Sequence, residues 1–318
     1  MGTAVQKGIS KDIAVGVAIT GIICAIPIVF LWMLFIPVCI LYYRSKLGRM
    51  NGAFVPVISL VLVAAVKGGT SVSMLFFAEL MLAGFILGEL IEMDISVEMT
   101  VLYTCGTVLM TGMLILIFYG NVAGTNINTL ISGNIAKEFE QAEKILNQEG
   151  LELSEEQIHL FSAILEKARQ IIVPMIPYLP SLAISFTLLT VWITLLIAKP
   201  VLKNRGLFYP DFGSLNTWKV PDFLVWCVIG CGAALLLPNQ ALKVFAGNGL
   251  FTLMTVYFLG GIAIVSFYFE KKQFPPVIRF FIYTLIALHN LTQFAVILLG
   301  FFDMWVNFRR LKNENGGL

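Results

Sequence analysis

The chain has 318 residues, of which 58% are hydrophobic and 13% are charged, whereas an ordinary globular domain has about 25% charged residues. This composition argues against a soluble protein and indicates one that lies in a lipid bilayer. A net charge of +2 is too small to indicate a nucleic-acid partner.

The first predicted element is an uncharged run of 31 residues from Ile13 to Tyr43. About 20 apolar residues cross a hydrocarbon core about 30 Å thick, so the run is too long for one untilted crossing and short for two. Basic residues flank both ends, which favours a tight hairpin of two short helices with both ends in the cytoplasm. These residues are Lys7 and Lys11 before the run, and Arg44, Lys46 and Arg49 in a basic loop after it. The alternative is one long, kinked helix.

Two shorter apolar stretches, Ala53 to Val66 and Thr70 to Gly88, then form a pair that returns the chain to the cytoplasm. Ser96 to Tyr119 is long enough to cross outward as one helix. The Gly84 and Gly88 pair has the GxxxG spacing that lets another helix approach closely. We predict that the glycines at 112, 230, 232, 260 and 261 also let helices pack closely.

Gly120 to Ile172 is the long polar stretch of the chain, and its apolar residues recur at three- and four-residue spacing. It predicts two amphipathic helices outside the bilayer. The second begins at Ser154 with Gln157 as a capping box, and Pro174 ends or kinks it. Four basic residues stand against eight glutamates here, a balance typical of the extracytoplasmic side.

Three further runs follow, Met175 to Ala198, Phe223 to Leu237 and Gly249 to Phe269, with basic residues at the cytoplasmic ends that we predict for them. The last run, Val277 to Phe302, is interrupted by polar residues. A single crossing would leave the basic C-terminus outside the cell. A hairpin of two short helices turning near Asn290 keeps it in the cytoplasm.

The predicted fold is therefore all-α: a polytopic transmembrane helix bundle with about eight to ten crossings and one extracytoplasmic helical hairpin. We divide it into N-terminal transmembrane helices (1–119), the amphipathic hairpin (120–172), and C-terminal transmembrane helices with a short basic tail (173–318). The expected location is the bacterial cytoplasmic (inner) membrane, with multiple passes.

Few residues are candidates for a functional site. Glu79 lies in the middle of an apolar run, where a charged side chain costs about 2.5–3.5 kcal/mol. It either faces a cavity or is paired with a neighbouring helix or with Lys67. His289 and Gln293 are four residues apart and could line a cavity, although a histidine satisfied by a nearby carbonyl is the simpler interpretation.

Asp303, Asn307 and Arg310 share one face if the last helix continues, and they form a candidate cytoplasmic motif. The alternative is a solvated helix end. The five cysteines lie inside apolar runs without the His or Cys clusters of a metal site. No motif of an ATPase, hydrolase, zinc protease or dinucleotide-binding enzyme occurs. We therefore expect no catalytic residues, no metal, no cofactor and no enzymatic activity.

Two segments carry a resemblance to a known family. The stretch from Leu299 to Arg310, LGFFDMWVNFRR, and the stretch from Trp218 to Trp226, WKVPDFLVW, resemble the YybS-like family of bacterial inner-membrane proteins. The resemblance implies a membrane fold but no established activity. More loosely, the glycine-rich N-terminal runs are similar to the substrate-binding membrane components of energy-coupling-factor transporters, from which the acidic insert and extra C-terminal runs depart.

Two functions follow as hypotheses. The first is solute binding or transport, with Glu79 and His289 facing a cavity. The second is a membrane scaffold or assembly factor that binds a membrane or envelope protein partner through the acidic hairpin. The first predicts an enclosed polar pocket, and the second predicts an exposed apolar stripe on the hairpin.

Overall fold

The computed structural model describes residues 2–25, 33–67, 72–122, 124–146 and 154–309, and their regular structure is entirely helical. The all-α prediction is therefore confirmed. The helices are α1 (Gly2–Ala25), α2 (Phe35–Gly52), α3 (Phe54–Lys67), α4 (Val72–Glu92), α5 (Val97–Val122), α6 (Ile127–Leu146), α7 (Glu155–Met175), α8 (Leu179–Lys203), α9 (Leu224–Leu235), α10 (Gln240–Lys271), α11 (Pro276–Leu288) and α12 (Asn290–Val306).

The described residues supply fewer crossings than the eight to ten predicted. Four helical stretches are long and apolar enough to cross a membrane: Met74–Glu92, Val97–Val122, Glu156–Lys203 and Gln240–Lys271. The number rises to six if each of two bent pairs, α2 with α3 and α11 with α12, counts as one span. The difference arises because several apolar runs form short helices. Helix α9, for example, has 12 residues and is only about 18 Å long.

The helices fall into two compact units. The N-terminal unit contains residues 1–88 and 103–180, and the C-terminal unit contains residues 89–102 and 181–318. The predicted hairpin over 120–172 corresponds to α6 and α7, which pack against each other within the N-terminal unit. The predicted capping box forms at Ser154 and Gln157, and α7 ends at Met175, directly after Pro174.

In the N-terminal unit, α1 packs against α2 and α3. Asp12 and Lys46, which lie near opposite ends of the first apolar run, form an ion pair of 2.8 Å. The two helices therefore run antiparallel, as the hairpin interpretation predicts. The residues between them, 26–32, lie outside the described part of the chain.

The basic residues from Arg44 to Arg49 do not form the predicted loop, because α2 continues through them to Gly52. Gly48 provides the local break in this helix, with a φ of 78° that a residue with a side chain rarely adopts. Arg44 is 2% exposed. Its side chain lies against Gly88, where an added Cβ would come within 2.6 Å of the Arg44 Cδ.

Glycines give close helix contacts in both units, as predicted for most of them. In the N-terminal unit, Gly84 contacts the backbone of Pro37. In the C-terminal unit, Gly261 of α10 contacts α12, and Gly300 of α12 contacts α10. The prediction is wrong for Gly230 and Gly232, where an added Cβ would meet nothing within 4 Å in the described structure.

The segment between α8 and α9 folds back onto α8 in the C-terminal unit. Burial raises the pKa of Tyr209 to about 12, so its hydroxyl stays protonated and donates to the carbonyl of Leu195 at 3.3 Å. The rings of Trp192 and Trp218 lie 5.0 Å apart. These contacts hold Tyr209 and Trp218 against α8.

Candidate functional site: a polar cavity in the C-terminal unit

A buried ion pair ties the end of α12 to the segment before α9. Asp303 Oδ2 lies 2.6 Å from Arg309 Nη2, and the two residues are 6% and 3% exposed. Arg309 Nη1 also donates to the carbonyls of Asn216 and Trp218, at 2.8 Å each. A buried ion pair needs such additional hydrogen bonds to offset the loss of hydration. We call these four residues, together with Asn307 and Lys219, the C-terminal clasp.

The clasp depends on where α12 ends. The helix stops at Val306 because Asn307 has left-handed backbone angles, φ 44° and ψ 60°, which asparagine tolerates better than most residues. The turn lets the N–H of Phe308 donate to Asp303 Oδ1 at 3.0 Å. The Lys219 ammonium donates to Asn307 Oδ1 at 3.1 Å.

The predicted helix face over Asp303, Asn307 and Arg310 therefore does not form. That face requires the helix to continue past residue 306, whereas the left-handed turn at Asn307 ends it and makes Arg309 the partner of Asp303. Arg310 lies outside the described residues. Two of the three predicted residues, Asp303 and Asn307, still take part in one polar site.

A cavity of about 130 Å³ lies beside the clasp. It is bounded by the start of α9, by α10 and by the end of α12. Its polar lining residues are Lys219, Asp222, Tyr257, Asp303 and Asn307. Gly300, which also lines the cavity, has no side chain and so lets α12 approach α10 closely.

Tyr257 is the least satisfied polar residue of this cavity. The residue is 3% exposed, and its hydroxyl has no hydrogen-bond partner among the described residues. The ring stacks edge-on against Phe301 at 5.2 Å. A buried hydroxyl without a partner costs about 1–3 kcal/mol, so a bound molecule or water is expected here.

The charges of the cavity sum to zero. The Asp303 carboxylate is neutralised by Arg309, which leaves the Lys219 ammonium and the Asp222 carboxylate among the lining residues. An ammonium binds carboxylate or phosphate oxygens, whereas a carboxylate binds ammonium or hydroxyl groups. The lining can therefore contact both ends of a small dipolar molecule.

Glu79 lies in α4 in the N-terminal unit, where it is half-buried. Its carboxylate rests against Gly112 of α5, and a Cβ at position 112 would overlap Glu79 Oε1. The side chain of Lys67, the alternative partner that the sequence offered, lies outside the described side chains. Glu79 is therefore accommodated by the absence of a side chain on the facing helix.

His289 separates α11 from α12, which meet at an angle of 101°. Its ring is exposed on the surface of the chain, and it lines neither the polar cavity nor the apolar groove discussed below. Gln293 Nε2 donates to the carbonyl of Ala287 at 2.9 Å. Thr292 Oγ1 donates to the carbonyl of Leu285 at the same distance. Gln293 thus satisfies a carbonyl that the break releases from the helix, whereas the Leu285 carbonyl also keeps its bond from the His289 N–H at 3.0 Å.

Three residues of the site were not predicted from the sequence: Lys219, Tyr257 and Arg309. Tyr257 has no local signal, because an aromatic residue in an apolar helix is ordinary. Lys219 and Arg309 lie within the two short segments that carried the family resemblance, and the structure brings those segments together. The distinctiveness of the two segments was the available signal.

The fold and the site define a helical membrane protein with a polar cavity beside the end of its last described helix. Residues 14–304 match the family described as "Predicted membrane protein (DUF2232)", and the chain belongs to this family. It is also similar to the uncharacterized protein YybS of Bacillus subtilis (strain 168), with 29% identity over 121 residues. That match covers 37% of this chain and 39% of YybS. No solved structure gives a significant match.

Proposed function

We propose that the protein binds a small polar solute in the C-terminal cavity and acts in transport across the bacterial cytoplasmic membrane. The observation that carries this proposal is the buried Tyr257 hydroxyl, which has no partner among the described residues and belongs to a cavity-lining residue. A membrane protein gains nothing in stability from such a group. A solute that accepts or donates a hydrogen bond there would remove the cost.

The size and charge of the cavity favour a small neutral or zwitterionic solute. A cavity of about 130 Å³ has room only for a small molecule, such as a small amino acid. Lys219 and Asp222 offer one charge of each sign. A simple anion or cation would leave one of them without a counter-charge.

The proposal is tested by the small molecules that the protein retains. We would purify wild-type protein and the Tyr257→Phe variant in detergent, denature both and quantify released metabolites by mass spectrometry. Loss of one hydrogen bond, worth about 0.5–1.5 kcal/mol, predicts roughly a two- to tenfold decrease for a specific metabolite. Tyr283→Phe is the matched control, because Tyr283 stacks on Phe269 and does not line the cavity. Equal retention by the three proteins would contradict the proposal.

Four candidate residues from the sequence have assigned roles here. Asp303 and Asn307 line the cavity at the cytoplasmic end of the chain, and Arg309 holds the Asp303 carboxylate in place. Glu79 is a separate polar contact in the N-terminal unit for a solute or a proton. Replacement of Glu79 by Gln keeps the shape of the side chain, so we expect normal folding with reduced activity. We assign His289 to the helix break, and we propose that the protein is not an enzyme.

A scaffold function is the second candidate, because α7 exposes apolar side chains. Leu160, Phe161, Ile164 and Ile171 are 46–63% exposed, as the assembly-factor hypothesis predicts for the hairpin. A photo-reactive amino acid at position 164 would then cross-link a membrane or envelope protein in living cells. The same probe at exposed Glu166 should give a weaker product. Cross-links of equal strength at both positions would contradict a specific surface.

A further inference from the structure

A second cavity, separate from the proposed solute site, is an apolar groove of about 240 Å³ in the C-terminal unit. Its walls come from the end of α10, the turn that follows it, and α12. They include Ile264, Phe269, Phe274, Leu299 and Phe308, and Lys272 supplies the one charged side chain of the lining. The Tyr268 hydroxyl, which also belongs to the lining, is already satisfied by the carbonyl of Phe308 at 2.8 Å.

The groove extends from the edge of the membrane toward its interior. Lys272 caps the candidate span Gln240–Lys271, so its ammonium lies at the level of the lipid headgroups. Ile264 precedes Lys272 by eight residues, which places it roughly 12 Å deeper along the helix. An occupant must therefore be apolar along its length and carry a negative charge at the membrane surface.

The other charged groups near this end do not neutralise Lys272. The Glu270 carboxylate accepts a hydrogen bond from Asn216 Nδ2 at 2.6 Å. Arg279 donates to the carbonyls of Phe269 and Phe274, at 3.2 and 2.8 Å, and so holds the turn in place. None of the ion pairs between described residues involves Lys272, and this lysine is exposed.

We propose that this groove binds one acyl chain of an anionic phospholipid, with the lipid phosphate against Lys272. A helix from a partner protein, about 10–12 Å across, is too wide for a groove of this volume, whereas an acyl chain is narrow enough. Anionic lipid and a juxtamembrane lysine attract each other by about 1 kcal/mol. The Lys272 ammonium makes the site prefer an anionic headgroup, and the apolar aromatic walls contact the acyl chain.

The test measures lipid retention by native mass spectrometry of delipidated protein in detergent. Protein is titrated with dioleoylphosphatidylglycerol or dioleoylphosphatidylcholine. We expect tighter binding of phosphatidylglycerol, and about a fivefold loss of this preference in Lys272→Gln. Lys271→Gln is the matched control, because the Lys271 ammonium lies 5.7 Å over the Phe267 ring and does not line the groove. It should bind like wild type.

A second variant tests the groove itself. Val265→Trp introduces a large ring at the wall and should lower the retention of both lipids. Three results would overturn the proposal: equal binding of the two lipids by wild type, an equal effect of the Lys271 and Lys272 replacements, or unchanged phosphatidylglycerol binding in Val265→Trp. Oleate that binds as tightly as phosphatidylglycerol would also overturn it, because the site would then recognise a fatty acid.

Discussion

At the scale of single residues, the balance of charge around Asp303 determines the stability of the candidate site. The carboxylate is buried and receives a hydrogen bond and an ion pair from residues that follow it in the chain. Its removal would leave the Arg309 guanidinium buried without a counter-charge. Asp303 also lines the cavity, so the same residue contributes both to stability and to the proposed binding site.

Asp303→Ala is expected to lower the free energy of unfolding by about 3–5 kcal/mol, which is the usual cost of removing one partner of a buried ion pair. Asp222→Ala is the control. Asp222 lines the same cavity but is exposed, so its replacement should change stability by no more than about 0.5 kcal/mol. Denaturant unfolding of the purified protein in detergent measures both values. Equal effects would show that the Asp303 pair is not a stabilising contact.

The contact between Glu79 and Gly112 gives a second prediction. Gly112→Ala places a Cβ where the Glu79 carboxylate lies, so overpacking should cost about 1–3 kcal/mol. Gly106→Ala, on the same helix but with nothing within 4 Å of the added Cβ, should be neutral or stabilising. In a double-mutant cycle, Glu79→Ala should relieve most of the Gly112→Ala penalty. Additive effects would mean that the two residues do not touch.

Residue patterns could predict Glu79 and Asp303 because a charge in or beside an apolar run is conspicuous. They could not predict that Gly112 makes room for Glu79, since a glycine in a membrane helix has many uses. Tyr257 was also beyond prediction, because its role depends on the absence of a hydrogen-bond partner in three dimensions. The identity of the Asp303 partner was missed through a single assumption about where α12 ends.

At the scale of helices, the break at His289 is the feature that was predicted most accurately from the sequence. The polar cluster from His289 to Gln293 predicted an interruption near Asn290, and the interruption is there. The angle of 101° was not predictable. It depends on how α11 and α12 pack, whereas the sequence reveals only that helical hydrogen bonding is interrupted.

Gln293→Leu should destabilise the break, because it leaves the Ala287 carbonyl without its side-chain donor. We expect a loss of about 1–2 kcal/mol, since lipid offers no replacement donor. Thr111→Val is the control: its hydroxyl donates to the Thr107 carbonyl one turn earlier in α5, so only an accessory bond is lost. A thermal unfolding series that ranks Thr111→Val as the more harmful would contradict this account.

The α6–α7 hairpin is predicted to lie outside the cytoplasm, because its balance of charge is acidic and three predicted crossings separate it from the basic residues between Arg44 and Arg49. In a cysteine-free background, single cysteines at Glu140 and Ser162, both exposed, should react with an impermeant thiol reagent in intact cells. A cysteine at exposed Arg205, in a predicted cytoplasmic loop, should react only after lysis. The opposite pattern would reverse the topology. Gln148, between the two helices, lies outside the described residues.

At the scale of the whole molecule, composition predicted the class of protein and hydropathy predicted the helical fold. Among the described residues, four helical stretches, or six if each bent pair counts as one span, are long and apolar enough to cross, against the eight to ten crossings predicted. Runs of apolar residues do not reveal whether a short helix, such as α9, crosses, bends or turns back. Residues 216–222 contact residues 303–309, which are more than 80 positions away in the chain. Periodicity and local spacing do not predict contacts at such a distance.

The central claim is that the cavity beside the C-terminal clasp holds a small polar solute. The most direct measurement is a crystal structure of protein purified without delipidation or extensive dialysis. We expect non-protein density in the cavity, within about 2.6–3.2 Å of the Tyr257 hydroxyl and in contact with Lys219 or Asp222. A Tyr257 hydroxyl that donates to another protein group, in a cavity closed by side chains, would contradict the claim.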